Sequence, residues 1–128
     1  MATIMVVDDA PDVLQTFEDM LTASGYSVLT ARGGTEALDI LDEGQSIDLL
    51  LTDVVMPGLN GFNLARMAKL RRPSLKVLYL TGKHEQTKLL RDKGLKFGKL
   101  LTKPIRMGEL RHEVAAALSA DVCAVDQR

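Results

Sequence analysis

Short runs of consecutive apolar residues alternate along the chain with longer segments in which apolar residues recur at helical spacing. The apolar runs predict five strands, at residues 3–7, 26–31, 47–53, 76–82 and 99–102. The intervening segments predict five helices. The first begins at Pro11, and the second ends at Gly44. The third follows a loop at 59–62 and ends at Pro73. The last two cover 84–93 and 105–118.

This regular alternation of strand and helix predicts a parallel sheet with helices on both faces, an α/β fold. The third run, which ends in Asp53, is apolar throughout and therefore indicates a central strand covered on both faces. Residues 1–119 are predicted to form one domain. Residues 120–128 show no periodicity and are predicted to be a flexible tail or the start of a linker.

Composition narrows the class of protein. The chain has 128 residues, of which 46% are hydrophobic and 26% charged, as in a globular domain with a sizeable core. The single cysteine, Cys123, has no partner for an intramolecular disulfide, and the apolar run at residues 4–7 is too short for a signal peptide or a membrane span. We therefore expect a cytoplasmic protein that does not enter the membrane.

Charge is distributed unevenly along the chain. Residues 1–60 hold eleven acidic residues and one basic residue, Arg32, whereas residues 61–128 hold fifteen basic and six acidic residues. The simplest interpretation is that this polarity stabilises the fold, because sheet order brings the two parts together. A role in docking a partner is the alternative.

Polar residues gather at the predicted strand ends. Asp8 and Asp9 follow the first strand, Asp53 ends the third, Thr81 ends the fourth, and Lys103 follows the fifth. Taken singly, each has an ordinary structural explanation, such as a turn, a helix cap or a solvated surface charge. Because the carboxyl ends of parallel strands meet at one edge, which is where open α/β sheets bind ligands, we expect all five to converge on a site.

Three clustered carboxylates repel one another and require a cation. An all-oxygen set without His or Cys suits Mg²⁺. A phosphoryl group moving to a carboxylate would need a metal, an ammonium and a hydroxyl around its oxygens, and Lys103 and Thr81 supply the last two. Asp53, alone on the central strand, is the candidate nucleophile, and the Asp8–Asp9 pair is better suited to hold the metal.

These residues resemble the receiver domain of two-component response regulators over residues 3–119. The shared motifs are Val-Val-Asp8-Asp9, the run from Leu49 to Gly58 around Asp53, Leu-Thr81-Gly, and Lys103-Pro104. The resemblance implies a flavodoxin-like (βα)5 three-layer sandwich whose parallel sheet has the strand order 2-1-3-4-5.

The resemblance also implies roles. Asp53 would accept a phosphoryl group from the phosphohistidine of a histidine kinase or from a phosphotransfer domain. Asp9, Asp53 and the Val55 carbonyl would bind Mg²⁺ directly, with Asp8 acting mainly through water. Thr81 and Lys103 would contact phosphoryl oxygens, Lys103 being aimed inward by a cis bond to Pro104.

Three positions distinguish this chain within the family. Receivers usually carry Tyr or Phe three residues before the lysine and move it inward with the threonine, but here the residue is Leu100. Neither Tyr79 nor Phe97 occupies that position, so Leu100 could simply pack. Val55 and Lys83 occupy the positions that tune acyl-phosphate lifetime in the family, and apolar Val55 predicts a phosphorylated state that is not among the shortest-lived.

Output would pass through a surface. Residues 83–106 carry eight basic residues against two acidic ones, and in receivers the fourth helix, fifth strand and fifth helix form the switching face, which can also mediate self-association. The motif around Tyr79 and Leu100 is similar to receivers of hybrid histidine kinases. A phosphoacceptor signalling domain rather than an enzyme is thus expected.

Other classes of protein fit the sequence less well. A Mg²⁺-dependent phosphohydrolase usually places its nucleophilic Asp after the first strand. An unphosphorylated scaffold would require an idle site, although every site residue is present. Direct binding of nucleic acid is not expected, because the chain has three Phe, two Tyr and no Trp for base stacking.

Overall fold

A computed structural model describes residues 2–82 and 98–119 of the chain. The five strands are β1 (Thr3–Val7), β2 (Ser27–Ala31), β3 (Leu49–Asp53), β4 (Lys76–Thr81) and β5 (Gly98–Thr102). The helices are α1 (Pro11–Ala23), α2 (Gly34–Asp42), α3 (Gly61–Arg71) and the C-terminal helix (Met107–Leu118), which corresponds to the fifth predicted helix.

The five strands form one parallel sheet in the order β2-β1-β3-β4-β5. The predicted order 2-1-3-4-5 is therefore confirmed. The central strand β3 is buried at all five of its residues, as its continuous apolar run indicates. The strand order reverses at β1, because β2 lies on one side of it and β3 on the other. The carboxyl ends of the parallel strands β1 and β3 lie next to each other there, which is the usual position of a ligand site in this fold.

Alternate side chains of the strands point into two separate cores, one on each face of the sheet. One core joins the sheet to α2 and α3 through residues such as Leu38, Leu41 and Leu64. The other joins it to α1 and the C-terminal helix through residues such as Phe17, Leu110 and Val114. Two helical layers thus enclose the sheet, and the predicted three-layer sandwich is confirmed.

Two helix boundaries differ from the sequence prediction. Helix α3 begins at Gly61 rather than after Phe62, because the side chain of Asn60 accepts a hydrogen bond from the backbone N–H of Asn63 at 2.9 Å and so caps the helix. The C-terminal helix begins at Met107, two residues after Ile105. The predicted helix at 84–93, Lys83, Phe97 and the tail at 120–128 lie outside the described residues.

Several ion pairs join the acidic first part of the chain to its basic second part. Arg71 of α3 contacts Asp42 of α2 at 2.7 Å, and Lys103 contacts both Asp8 and Asp53. Each of these pairs joins a base from residues 61–128 to an acid from residues 1–60. Sheet order therefore brings the two parts together, as the simpler interpretation of the charge pattern expected.

Across residues 2–82 and 98–119, none of the helices combines the length and the apolar character needed to cross a membrane.

Candidate functional site

The predicted polar residues meet at the carboxyl edge of the sheet. Asp53 is the last residue of β3 and Thr81 the last of β4, whereas Asp8 directly follows β1 and Lys103 directly follows β5. Asp8, Asp53 and Thr81 are all buried. Buried polar groups at the end of an apolar sheet are costly to keep unless they are paired or bind a ligand.

Asp53 is held in place by the backbone around it. Only 7% of the residue is exposed. The N–H of Val54 donates to the carbonyl of Leu80 at 2.9 Å, and the N–H of Gly61 donates to the carbonyl of Val54 at 2.9 Å. Gly61 lies so close that a Cβ atom there would overlap the carbonyl oxygen of Asp53. The sheet and the first residue of α3 therefore fix Asp53 from two sides.

Asp8 is the acid that Lys103 pairs with most closely. The Nζ atom of Lys103 donates to Oδ2 of Asp8 at 3.1 Å and lies 3.8 Å from Oδ2 of Asp53. The other oxygen of Asp8 accepts the backbone N–H of Ala10 at 3.0 Å, just before α1. One ammonium group thus bridges two buried carboxylates across the edge of the sheet.

Asp9 completes a cluster of three acids. One carboxylate oxygen from each of Asp8, Asp9 and Asp53 lies within 4.8 Å of the others, and Asp9 is exposed while its two neighbours are buried. Lys103 provides one positive charge against three negative ones. An oxygen-only set with excess negative charge fits a hard divalent cation such as Mg²⁺.

Thr81 and Lys103 are tied together through the backbone. Thr81 pairs with Thr102 in the sheet, and the N–H of Lys103 donates to the carbonyl of Thr81 at 2.7 Å. The peptide bond between Lys103 and Pro104 is cis, as the resemblance implies. The ends of β4 and β5 therefore carry the hydroxyl and the ammonium to the same place.

A cavity of about 620 Å³ opens beside these groups. Its lining residues are Asp9, Asp53, Val55, Met56, Pro57, Thr81, Gly82 and Lys103. Five of them are predicted site residues, whereas Met56, Pro57 and Gly82 are not among those predicted. Their position in the sequence could have identified them, because each follows Asp53 or Thr81 within a few residues. Loops that leave the edge of the sheet at these points form the wall of the site.

The protonation of Asp53 reflects this setting. Burial raises the pKa of the Asp53 carboxyl from 3.8 to about 6. The Lys103 ammonium and a hydrogen bond from the Val55 backbone lower this pKa, whereas the negative charges of Asp8 and Asp9 raise it further. A cation bound among the acids would favour the ionised carboxylate, the form that can act as a nucleophile.

The raised pKa predicts how stability depends on pH without metal. The folded state binds the Asp53 proton more tightly than the unfolded state, so the free energy of unfolding falls as pH rises from about 4 to about 6. Asp53→Asn lacks this loss. We therefore expect the free energy of unfolding of Asp53→Asn, relative to that of wild type, to rise by about 2 kcal/mol between pH 4 and pH 7 in EDTA. Urea unfolding measures this difference. A difference that is independent of pH would contradict the assignment.

The chain matches a known family of protein domains. The family model for the response regulator receiver domain matches residues 4–115. The transcriptional regulatory protein YrkP of Bacillus subtilis is 33% identical over 117 residues, covering 90% of this chain and 48% of YrkP. The transcriptional regulatory protein GlrR of Escherichia coli is 30% identical over 127 residues, covering 99% of this chain and 28% of GlrR. The chain thus spans less than half the length of these relatives.

Solved structures agree on the fold. A receiver domain protein from Clostridium thermocellum has a TM-score of 0.83 and 32% identity, covering 97% of this chain and 99% of its own. TrrA from Thermotoga maritima, in complex with Mg²⁺-BeF, has a TM-score of 0.79 and 27% identity over 91% and 99% of the two chains.

The receiver domain of the hybrid histidine kinase CckA has a TM-score of 0.75 and 32% identity, covering 91% of this chain and 99% of its own. The sheet order of this chain and its acidic cluster fit the same group of proteins. The chain belongs to the response regulator receiver domain family and is a receiver domain of two-component signalling.

Proposed function

We propose that Asp53 is the phosphoacceptor of this receiver domain. The observation that carries the proposal is one buried carboxylate at the end of the central strand, clustered with two further acids. One ammonium and one hydroxyl line the same cavity as this carboxylate. The raised pKa of Asp53, the accessible cavity and the receiver fold all support it. Asp8, Asp9, Thr81 and Lys103 act on the transferred group or its metal.

The reaction is a phosphoryl transfer from nitrogen to oxygen. A carboxylate oxygen of Asp53 forms a bond to phosphorus as the bond between phosphorus and the donor imidazole nitrogen breaks. The imidazole keeps the electron pair of the broken bond and takes up a proton. The transition state is loose and spreads negative charge over three peripheral oxygens, so fixed positive charges and donors stabilise it.

Asp9, Asp53 and the carbonyl of Val55 would hold Mg²⁺, with Asp8 acting mainly through water. The closeness of the three carboxylates supports this assignment, and the Mg²⁺-BeF complex of TrrA is consistent with it. When bound, Mg²⁺ supplies positive charge to the phosphoryl oxygens. The residues Asp8 and Asp9 contribute by keeping that charge beside Asp53.

Lys103 and Thr81 would contact two of the phosphoryl oxygens. The Nζ atom of Lys103 already lies 3.8 Å from Asp53, and Thr81 lines the same cavity. An ammonium that bridges Asp8 and Asp53 can transfer one of its hydrogen bonds to a phosphoryl oxygen with little movement. The hydroxyl of Thr81 would donate to another oxygen after its side chain turns.

Receiver domains exchange phosphoryl groups with histidine kinases or phosphotransfer domains, and we propose such a partner in the cytoplasm, with no direct role for nucleic acid or membrane. Output would come from the switching face, of which β5 and the C-terminal helix lie within the described residues. We also propose self-association through that face. The likeness to CckA supports a hybrid-kinase context. The domain boundary at residue 119 stays a prediction.

The test is to incubate the protein with acetyl phosphate and Mg²⁺ and to measure its intact mass. We expect the mass of one phosphoryl group in wild type, none in Asp53→Asn, and none with EDTA. Asp48→Asn is the matched control, because Asp48 immediately precedes the same strand and is exposed, accepting the N–H of Thr3 at 2.8 Å. Equal phosphorylation of wild type and Asp53→Asn would overturn the proposal.

Val55 is expected to prolong the phosphorylated state. It lines the cavity beside Asp53 with 38% of the residue exposed, and its apolar side chain cannot orient a water molecule for attack. Val55→Asn supplies a polar group there, so we expect faster loss of the phosphoryl group, followed by intact mass after acetyl phosphate is removed. Val55→Leu should behave like wild type. A Val55→Asn variant that loses phosphate no faster would contradict this role.

A further inference from the structure

Tyr79 is an aromatic residue whose position the proposed chemistry leaves unexplained. It lies in β4 with 1% of the residue exposed and is among the largest fully buried side chains. Its ring packs against Phe62 of α3, with the ring centroids 5.1 Å apart and the planes tilted by 52°. Such tilted pairs are attractive beyond the area they bury.

The hydroxyl of Tyr79 makes this packing unusual. Within residues 2–82 and 98–119, no group forms a hydrogen bond with it. Burial raises the pKa of the Tyr79 hydroxyl to about 12, so the side chain is neutral at physiological pH. Because none of the described groups forms a hydrogen bond there, phenylalanine would fill the same space without the cost of burying a hydroxyl. Tyr79 therefore interacts with its neighbours through the packing of its aromatic ring and not through a charge.

Tyr79 is connected to the candidate site through β4. Residues two apart in a strand point to the same face, so Tyr79 and Thr81 share one face of the sheet. Across the sheet Tyr79 is in register with Leu100, which has a smaller side chain. A turn of the Thr81 side chain toward a phosphoryl group would therefore take place on the face where Tyr79 lies.

Phe62 is connected to the same site from the opposite direction. It follows Gly61, whose N–H donates to the carbonyl of Val54 and where a Cβ atom would overlap the carbonyl oxygen of Asp53. The first turn of α3 thus touches the backbone of Asp53 at Gly61 and the ring of Tyr79 at Phe62. Further along α3, Arg66 and Leu70 face outward, and 78% of Leu70 is exposed.

We propose that the Tyr79–Phe62 pair couples phosphorylation of Asp53 to α3, so that the outer face of this helix, around Arg66 and Leu70, differs between the two phosphorylation states. Tyr79 acts here as a positioning residue. The inference rests on the proposed phosphoacceptor function and adds a second responding element to the switching face.

The test uses ¹⁵N-labelled protein with excess acetyl phosphate and Mg²⁺. Intact mass measures phosphoryl occupancy, and amide spectra measure the shift changes of residues 66–70 of α3. We expect clear changes in wild type and in Tyr79→Phe, which keeps the ring. In Tyr79→Leu and in Phe62→Leu we expect these changes to fall by at least about half at equal occupancy. Tyr26→Leu is the control, because Tyr26 packs in the other core.

The outcomes separate the two proposals. No gain in mass would overturn the proposed function and this inference with it. A full gain in mass without shift changes in α3, or with equal changes in Tyr79→Leu and Phe62→Leu, would overturn the inference alone. The amide spectra also report whether each variant is folded, and either leucine variant suffices if the other is not.

Discussion

Lys103→Met is expected to lower the free energy of unfolding by about 3 kcal/mol in EDTA, because it leaves the buried carboxylate of Asp8 without its ammonium partner. Asp8 is 1% exposed, and Lys103 also lies 3.8 Å from Asp53. The loss therefore affects two buried carboxylates. Urea unfolding in the absence of metal measures it directly.

Mg²⁺ should reverse part of this loss. Lys103 competes with a divalent cation for the same three carboxylates, so its removal increases the net negative charge of the cluster. We expect Lys103→Met to bind Mg²⁺ more tightly than wild type and to gain more stability from it. Weaker binding of Mg²⁺ by the variant would contradict the view that Lys103 is an internal counterion.

Lys99→Met is the matched control for this prediction. Lys99 lies in β5 and pairs with Glu113 at 2.8 Å, but 63% of its side chain is exposed. An exposed pair contributes little, so the loss should stay below about 1 kcal/mol, with no change in Mg²⁺ affinity. Equal losses in the two variants would show that burial does not decide the effect.

Gly61→Ala is expected to lower the free energy of unfolding by about 1–3 kcal/mol. The new methyl group would overlap the carbonyl oxygen of Asp53 and lie 2.9 Å from the Cα atom of Val54. Both are backbone atoms of the central strand and its exit, so the helix must shift away from the site. We also expect slower phosphorylation of Asp53, followed by intact mass over time.

Gly108→Ala controls for the change of residue type. Gly108 lies in the first turn of the C-terminal helix. Among the described residues, no atom beyond its own neighbours and helix backbone comes within 4 Å of a Cβ atom there. Alanine favours a helix over glycine by up to about 1 kcal/mol, so this variant should be as stable as wild type or more stable. A Gly61→Ala variant that behaves like Gly108→Ala would contradict the close packing of α3 against Asp53.

The sheet and the position of the site could be predicted because both depend on local pattern. Continuous apolar runs mark parallel strands covered on two faces, and the polar residues Asp53, Thr81 and Lys103 stand where those runs end. Once the strands are parallel, their ends must meet at one edge. Side chains separated by up to 95 residues, such as Asp8 and Lys103, then come into contact.

Details that depend on the direction of a side chain or on the packing between elements could not be predicted in this way. Asp8 and Asp9 are adjacent acids beyond the last strand residue, and the sequence does not show that Asp8 turns inward to meet Lys103 while Asp9 stays exposed. The early start of α3 follows from one hydrogen bond at Asn60. The pairing of Phe62 with Tyr79 arises only when α3 packs on β4.

The central claim, that Asp53 accepts the phosphoryl group, is tested most directly by locating the modification. Borohydride converts an aspartyl phosphate to homoserine, and trypsin separates Asp53, between Arg32 and Arg66, from Asp8 and Asp9, which precede Arg32. After treatment with acetyl phosphate and Mg²⁺ we expect homoserine at position 53 alone, identified by fragmentation of the peptide. Homoserine at position 8 or 9, or at another acid, would contradict the account.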